Sequence, residues 1–143
     1  TLEQMMVAYT AISSIYLRAA IRSEPASLLA ILKQRESLEP TAKAYSEFEW
    51  ALHYQATLSS GNLVYTLLVN GFKRFYLRAA SFFYQEAEAM SHLHDYCHEL
   101  QLIIEEDSAH KINAFVRDYA MRRAEIWQRK KSSLPDSFLA DIN

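Results

Sequence analysis

The sequence predicts an all-α fold, an antiparallel bundle of about six or seven helices around a central apolar helix. Three observations carry this. Half of the 143 residues are apolar, while there are only two glycines and three prolines, far too few turn residues for a sheet protein. Apolar residues recur at three- and four-residue steps along most of the chain. The breaks between these patterns are very short, which makes consecutive helices antiparallel neighbours.

The central helix is read in the stretch from Gly61 to Tyr84. Tyr65, Leu68, Val69, Phe72, Tyr76, Ala79 and Phe83 share one helical face. Leu63, Val64, Leu67, Phe75 and Phe82 widen the apolar surface around its girth, as expected of a helix inside a bundle. Its length is roughly 35 Å. Gly71 falls mid-helix, where glycine costs up to ~1 kcal/mol against alanine, which suggests close approach of a ligand or, more simply, close helix packing.

The remaining elements follow in order. Leu2 to Arg22 forms the first helix, with Met5, Tyr9, Ile12 and Tyr16 on one face. Ser23 reads as the N-cap of a second helix with Pro25 in its first turn, running to Leu38. Glu39-Pro40-Thr41 precedes a third, from about Thr41 to Leu58. The central helix comes next. Gln85-Glu86 opens a fifth that extends to about Glu105. Asp107-Ser108 caps the last, which ends in Lys130-Lys131, cations suited to a helix C-terminus. Leu134-Pro135 stops it, and the tail to Asn143 is expected to be loose.

Composition narrows the function. A net charge of −2 and a pI near 6.2 argue against a nucleic-acid-binding surface. Cys97 is the only cysteine, so no disulfide framework exists, and a reducing cytoplasm fits. No apolar run reaches the ~20 residues of a membrane span. There is no signal-peptide pattern, and the abrupt start at Thr1 inside a helical pattern suggests a piece of a longer chain. No metalloprotease, phosphate-loop or nucleophile-elbow motif occurs, so an enzyme is not expected.

Two constellations stand out. Glu49 and His53 are four apart on one helix face and could hold a divalent metal with His98 as a third ligand. The simpler reading of these residues is a surface or core-lining histidine hydrogen-bonded to a carboxylate. His92, His94, Asp95 and Glu99 read as a solvated face. The basic residues of the last helix, with Lys73, Arg74 and Arg78, suit a carboxylate or phosphate at the mouth of an aromatic cavity, or else simply solvate helix surfaces.

The strings Ile12-Ser13-Ser14-Ile15-Tyr16-Leu17-Arg18, Ser60-Gly61-Asn62 with Tyr65, Asn70-Gly71-Phe72-Lys73, Tyr76 with Arg78, and Tyr119 through Glu125-Ile126-Trp127 to Leu134-Pro135 resemble the FadR-type regulators of fatty-acid metabolism in the GntR superfamily. The likeness covers nearly the whole chain and concerns their C-terminal effector domain. The winged-helix DNA-binding domain of such regulators has no counterpart in this sequence. The resemblance implies an effector-sensing domain, residues 1–143, that binds long-chain fatty acyl-CoA and requires no cofactor. It further implies a homodimer in the full-length protein, DNA contact only through the N-terminal domain, no membrane and a cytoplasmic location.

The ligand-facing positions it implies are Tyr9, His53, Phe83, Arg117, Tyr119, Ala120, Arg123 and Trp127, beside Phe72, Tyr76 and Arg78 of the central helix. Some depart from a well-known member: Tyr9 stands at an arginine, His53 at a phenylalanine, Phe83 at a tyrosine, Ala120 at a glycine and Arg123 at a serine. Ala120 and Arg123 add bulk where ligand space is expected. The related FCD-type sensor domains carry an Asp-x-x-x-His pair and two later histidines that bind metal. Glu49, His53 and His98 fall on three of these positions and Met121 on the fourth. That alternative implies a metal-dependent sensor of a small carboxylate. A ligand-free helical dimerisation module is the third reading.

Overall fold

The structure, a computed structural model, describes residues 2–132. Six helices follow one another: α1 (Leu2–Ser23), α2 (Pro25–Leu32), α3 (Ala42–Ser59), α4 (Leu63–Phe83), α5 (Ala87–Glu105) and α6 (Ile112–Lys131). Short 3-10 turns at Lys33–Ser37 and Ala109–Lys111 complete the helical elements, and no strand occurs among the described residues. The protein is an all-α helical bundle.

Local chemistry explains the boundaries. The Thr41 hydroxyl accepts from the Ala44 amide at 3.1 Å and starts α3. The Asn62 side chain accepts from the Val64 amide at 3.0 Å and starts α4. Gly61, at φ 76°, makes the left-handed turn between these helices, which a side chain would strain. Arg129, Lys130 and Lys131 occupy the last turn of α6, where cations complement the helix dipole.

Several boundaries differ from the sequence reading. Ser23 ends α1 rather than capping α2. Its hydroxyl has the Ala19 carbonyl at 2.8 Å and the Ser59 carbonyl at 2.5 Å as acceptors for its single proton, so it is committed to its own helix and to α3. The N-cap of α2 is Glu24, with Pro25 in the first turn. The second helix stops at Leu32 and tightens into the 3-10 turn through Ser37. Asp107 and Ser108 provide no side-chain cap to α6; they precede a 3-10 turn, with Asp107 at φ 53°. Leu134-Pro135 and the tail to Asn143 lie outside the described residues.

The core is organised around α3, flanked by α1, α2 and α4. Half of its length is buried, including Tyr45, Phe48, Leu52 and Ala56, along with the polar Glu49, His53 and Thr57. Tyr16, Leu17, Leu28, Leu32, Leu52, Leu100 and Ile112 are fully buried. Each aliphatic side chain among them contributes about 1.5–3 kcal/mol.

The placement of α4 corrects the sequence reading. Only Val69, Ala80 and Phe83 of this helix are buried. Leu63 and Leu67 are 75 % and 72 % exposed, and Val64 and Leu68 are exposed too. The helix packs through one face onto α3, with Phe75 and Phe82 half-buried against the core, and turns Leu63, Val64, Leu67 and Leu68 outward. Gly71 is exposed, and a Cβ there would meet nothing within 4 Å, so close packing does not explain it.

Candidate functional site

A cavity of about 140 Å³ lies between α1, α3, α4, α5 and α6. Each helix contributes residues from its buried face. Tyr9 and Ser13 come from α1, Glu49 and His53 from α3, Phe72, Tyr76 and Phe83 from α4, His92 and Tyr96 from α5, and Tyr119, Ala120, Arg123 and Trp127 from α6. The helical period delivers them: on α6 the five lining residues, these four and Val116, fall at steps of three, one, three and four, one contiguous patch of surface.

The wall is aromatic. Tyr9 stacks on Tyr76 with ring centroids 5.8 Å apart and meets His53 edge-on at 5.4 Å. Tyr96 lies 5.6 Å from Tyr119, and Phe83 lies 6.0 Å from Trp127. Such contacts stiffen the lining and keep it apolar.

A polar cluster interrupts this wall. Arg123 Nη1 donates to Glu49 Oε1 at 2.7 Å and Oε2 at 3.0 Å, and reaches the Tyr84 hydroxyl at 3.5 Å. The guanidinium also stands 4.4 Å over the Phe83 ring. Burial opposes ionisation of Glu49, but Arg123 and, less strongly, His53 overcome it and hold its pKa below the usual carboxylate value. Burial works against the charge of Arg123 as well, yet Glu49 raises its pKa, so the pair is ionised.

His53 Nδ1 lies 2.6 Å from the Tyr16 hydroxyl. Burial lowers its pKa to about 4, against the pull of Glu49. His92 is lowered to about 4 by the same cause, with Arg123 adding to it. Both imidazoles are neutral near pH 7. Burial raises the Tyr9 and Tyr76 phenols far above their ordinary value. Their hydroxyls and the Trp127 indole N–H are buried and make no hydrogen bond of normal geometry. Tyr76 sits beside both charges of the Glu49–Arg123 pair, and its hydroxyl helps hold the Glu49 carboxylate ionised.

A second groove runs alongside, between α1 and α6. It shares Met6, Thr10, Val116, Ala120 and Trp127 with the cavity, so these side chains are the partition between the two spaces.

Comparison with known proteins places this arrangement. The family model described as "FadR C-terminal domain" matches residues 1–139. The chain belongs to the FadR C-terminal domain family. It is similar to proteins named fatty acid metabolism regulator protein in three Shewanella species. Identity is 35 % over 141 residues to that of Shewanella amazonensis, covering 99 % of this chain and 57 % of the relative. It is 31 % over 135 residues for Shewanella oneidensis, covering 94 % and 56 %. It is 33 % over 133 residues for Shewanella pealeana, covering 93 % and 56 %. The chain therefore spans little more than half the length of these relatives.

In this FadR domain Tyr9, His53, Phe72, Tyr76, Phe83, Tyr119, Ala120, Arg123 and Trp127 all line the cavity. Two expected residues do not. Arg117 belongs to the α1–α6 groove, and Arg78 is exposed on α4. Arg123 enters the interior instead of standing at a rim, and its bulk is held to one side by Glu49. Of the other basic residues, Lys73 covers the Trp50 ring at 4.3 Å and Arg122 covers Tyr119 at 3.9 Å.

Among the described residues, Glu49, His53 and His98 are not brought together. Glu49 and His53 share the cavity, but His98 is exposed on α5 and outside it. Among the described residues no group of three or more histidines, cysteines or carboxylates is placed to hold a metal. The Glu49 carboxylate is already engaged by Arg123. Also among the described residues, no helix is long and apolar enough to cross a membrane.

Sequence reasoning missed His92, Tyr16 and the pairing of Glu49 with Arg123. His92 is buried, not part of a solvated face. The signal was present, since His92 falls in the stripe of Ala89, Leu93, Cys97 and Leu100. Glu49 and Arg123 are 74 residues apart, and no local pattern announces such a pair.

Proposed function

We propose that this FadR domain is the effector-sensing part of a transcription regulator. In this reading it binds long-chain fatty acyl-CoA and relays occupancy to a DNA-binding domain elsewhere in a longer, dimeric chain. It performs no chemistry of its own. Family membership over nearly the whole chain supports the regulatory role. The observation that carries the ligand reading is the aromatic cavity at the junction of five helices.

The size of that cavity suggests how a signal arises. A space of about 140 Å³ holds a group of roughly benzene size. A long acyl chain needs more, so it must part the helices as it enters. The thin partition of Met6, Thr10, Val116, Ala120 and Trp127 is where the cavity and the α1–α6 groove merge most readily. Each buried methylene contributes about 0.8 kcal/mol towards that opening. A ligand that binds the opened state more tightly shifts the population towards it, and an attached domain senses the change.

The test is a titration with oleoyl-CoA followed by the fluorescence of Trp127, in a Trp50→Phe background. A saturable change at micromolar ligand is expected. No response up to the solubility limit of the ligand defeats the reading.

A further inference from the structure

The outward face of α4 stays exposed among the described residues. Leu63 and Leu67 point away from the core, with Val64 and Leu68 beside them. Steps of one, three and one put these four side chains on a single helical face. Leu58, also exposed, adjoins them across the tight turn in which its carbonyl accepts from the Gly61 amide. Single exposed leucines need no explanation, but a contiguous cluster of them marks an interaction surface.

Charge decides what covers it. α4 carries no acidic residue, and its bases Lys73, Arg74 and Arg78 all lie in the C-terminal half, beyond the cluster. The cluster itself is uncharged and purely aliphatic, so it offers a charged partner nothing to pair with. Its complement is another uncharged aliphatic face, and the cluster is such a face for itself. Two α4 helices packed in parallel would set base against base. Packed antiparallel, about a two-fold axis between Val64 and Leu67, they set aliphatic against aliphatic. The same arrangement carries Arg74 of each copy towards the end of the other copy's α3. That end is a helix C-terminus, partly negative, and its last turn holds no basic residue of its own.

We propose that the outward face of α4 is a self-association surface, on which a second copy of this chain packs its own α4 antiparallel about a two-fold axis between Val64 and Leu67. A standard interface covers roughly 800 Å² per partner, more than five aliphatic side chains supply, so the pairing is weak and reversible. The core around α3 is complete in the single chain, and folding does not depend on the second copy. The proposal is independent of the ligand reading.

The experiment is sedimentation equilibrium of the 143-residue chain between about 1 and 300 µM. A monomer–dimer equilibrium is expected. Leu67→Gln and Val64→Glu should each weaken it tenfold or more, because the two-fold axis repeats each change in both copies. Their urea unfolding in dilute solution should stay as in the wild type, which shows that both variants fold. Met121→Glu, in the α1–α6 groove, should leave the dimer unchanged. A spin label on Ser81→Cys reads the orientation, since Cys97 is buried and escapes labelling. Antiparallel helices hold the two labels about 45 Å apart, and parallel ones about 10 Å. A chain that stays monomeric at the highest concentration leaves this face to a different protein and overturns the proposal. A dimer that survives both α4 changes, or that Met121→Glu abolishes, overturns the choice of surface. The short separation overturns the antiparallel arrangement.

Discussion

Arg123 on α6 and Glu49 on α3 form an ion pair across the interior, with Nη1 at 2.7 Å and 3.0 Å from the two carboxylate oxygens. Glu49 is 4 % exposed, so its charge depends on Arg123 for nearly all of its compensation. Removing one partner alone leaves the other charge buried. Arg123→Leu is expected to cost about 3 kcal/mol and Glu49→Leu a similar amount, while the two together cost far less than their sum. Urea unfolding of the two single variants and the double variant measures this. Additive losses would show that the pair is not coupled.

Stability should fall with acid in two stages. His53 is held near pKa 4 in the folded chain, chiefly by burial, against 6.5 when unfolded. The unfolded chain thus takes up a proton between these values that the folded chain refuses. The stabilisation is complete above pH 6.5 and is lost as pH falls towards 4. His92 follows the same course. The loss from His53 is on the order of 2–3 kcal/mol. Glu49, whose folded pKa is lowered, adds a second loss below about pH 4.5. Unfolding midpoints at pH 7.5, 5.5 and 4.5 should decline in step, and His53→Gln should flatten the upper part. A flat profile between pH 7.5 and 4.5 contradicts the burial of neutral imidazoles.

Gly71→Ala should stabilise the protein by about 0.5–1 kcal/mol. The residue is mid-helix, a Cβ there meets nothing within 4 Å, and alanine is the better helix former. A rise in the thermal midpoint of a few degrees checks it. A loss would mean that space beside Gly71 is occupied.

The helices themselves were legible in the residues. Apolar steps of three and four, broken at Pro25, Pro40, Gly61, Gln85-Glu86 and Asp107-Ser108, locate all six, because helix period and breakers act locally. The depth of each helix was not. An apolar girth on α4 reads as a central position, yet Leu63 and Leu67 face outward, because burial depends on which neighbours arrive from distant parts of the chain. The aromatic wall was legible as stripes on separate helices, and Tyr9, Tyr119 and Trp127 fall in place. The polar cluster was not, since Tyr16 meets His53 over 37 residues and Glu49 meets Arg123 over 74.

That contrast is itself measurable. Leu67→Gln on the outward face of α4 should change stability by less than about 0.5 kcal/mol, and Leu52→Ala in α3 should cost about 2–5 kcal/mol. Equal and large losses at both positions would restore α4 to the centre of the bundle.

The central claim is that the space between the five helices receives an acyl chain. Ala120 borders both that space and the adjoining groove, so a larger side chain there fills the path. The decisive measurement is calorimetric titration of oleoyl-CoA into the wild-type protein and into Ala120→Phe, with thermal unfolding to confirm that the variant is folded. Saturable binding to the wild type and its loss by tenfold or more in a folded Ala120→Phe variant is the predicted result. Equal affinity in the two proteins would place the ligand elsewhere and contradict the account.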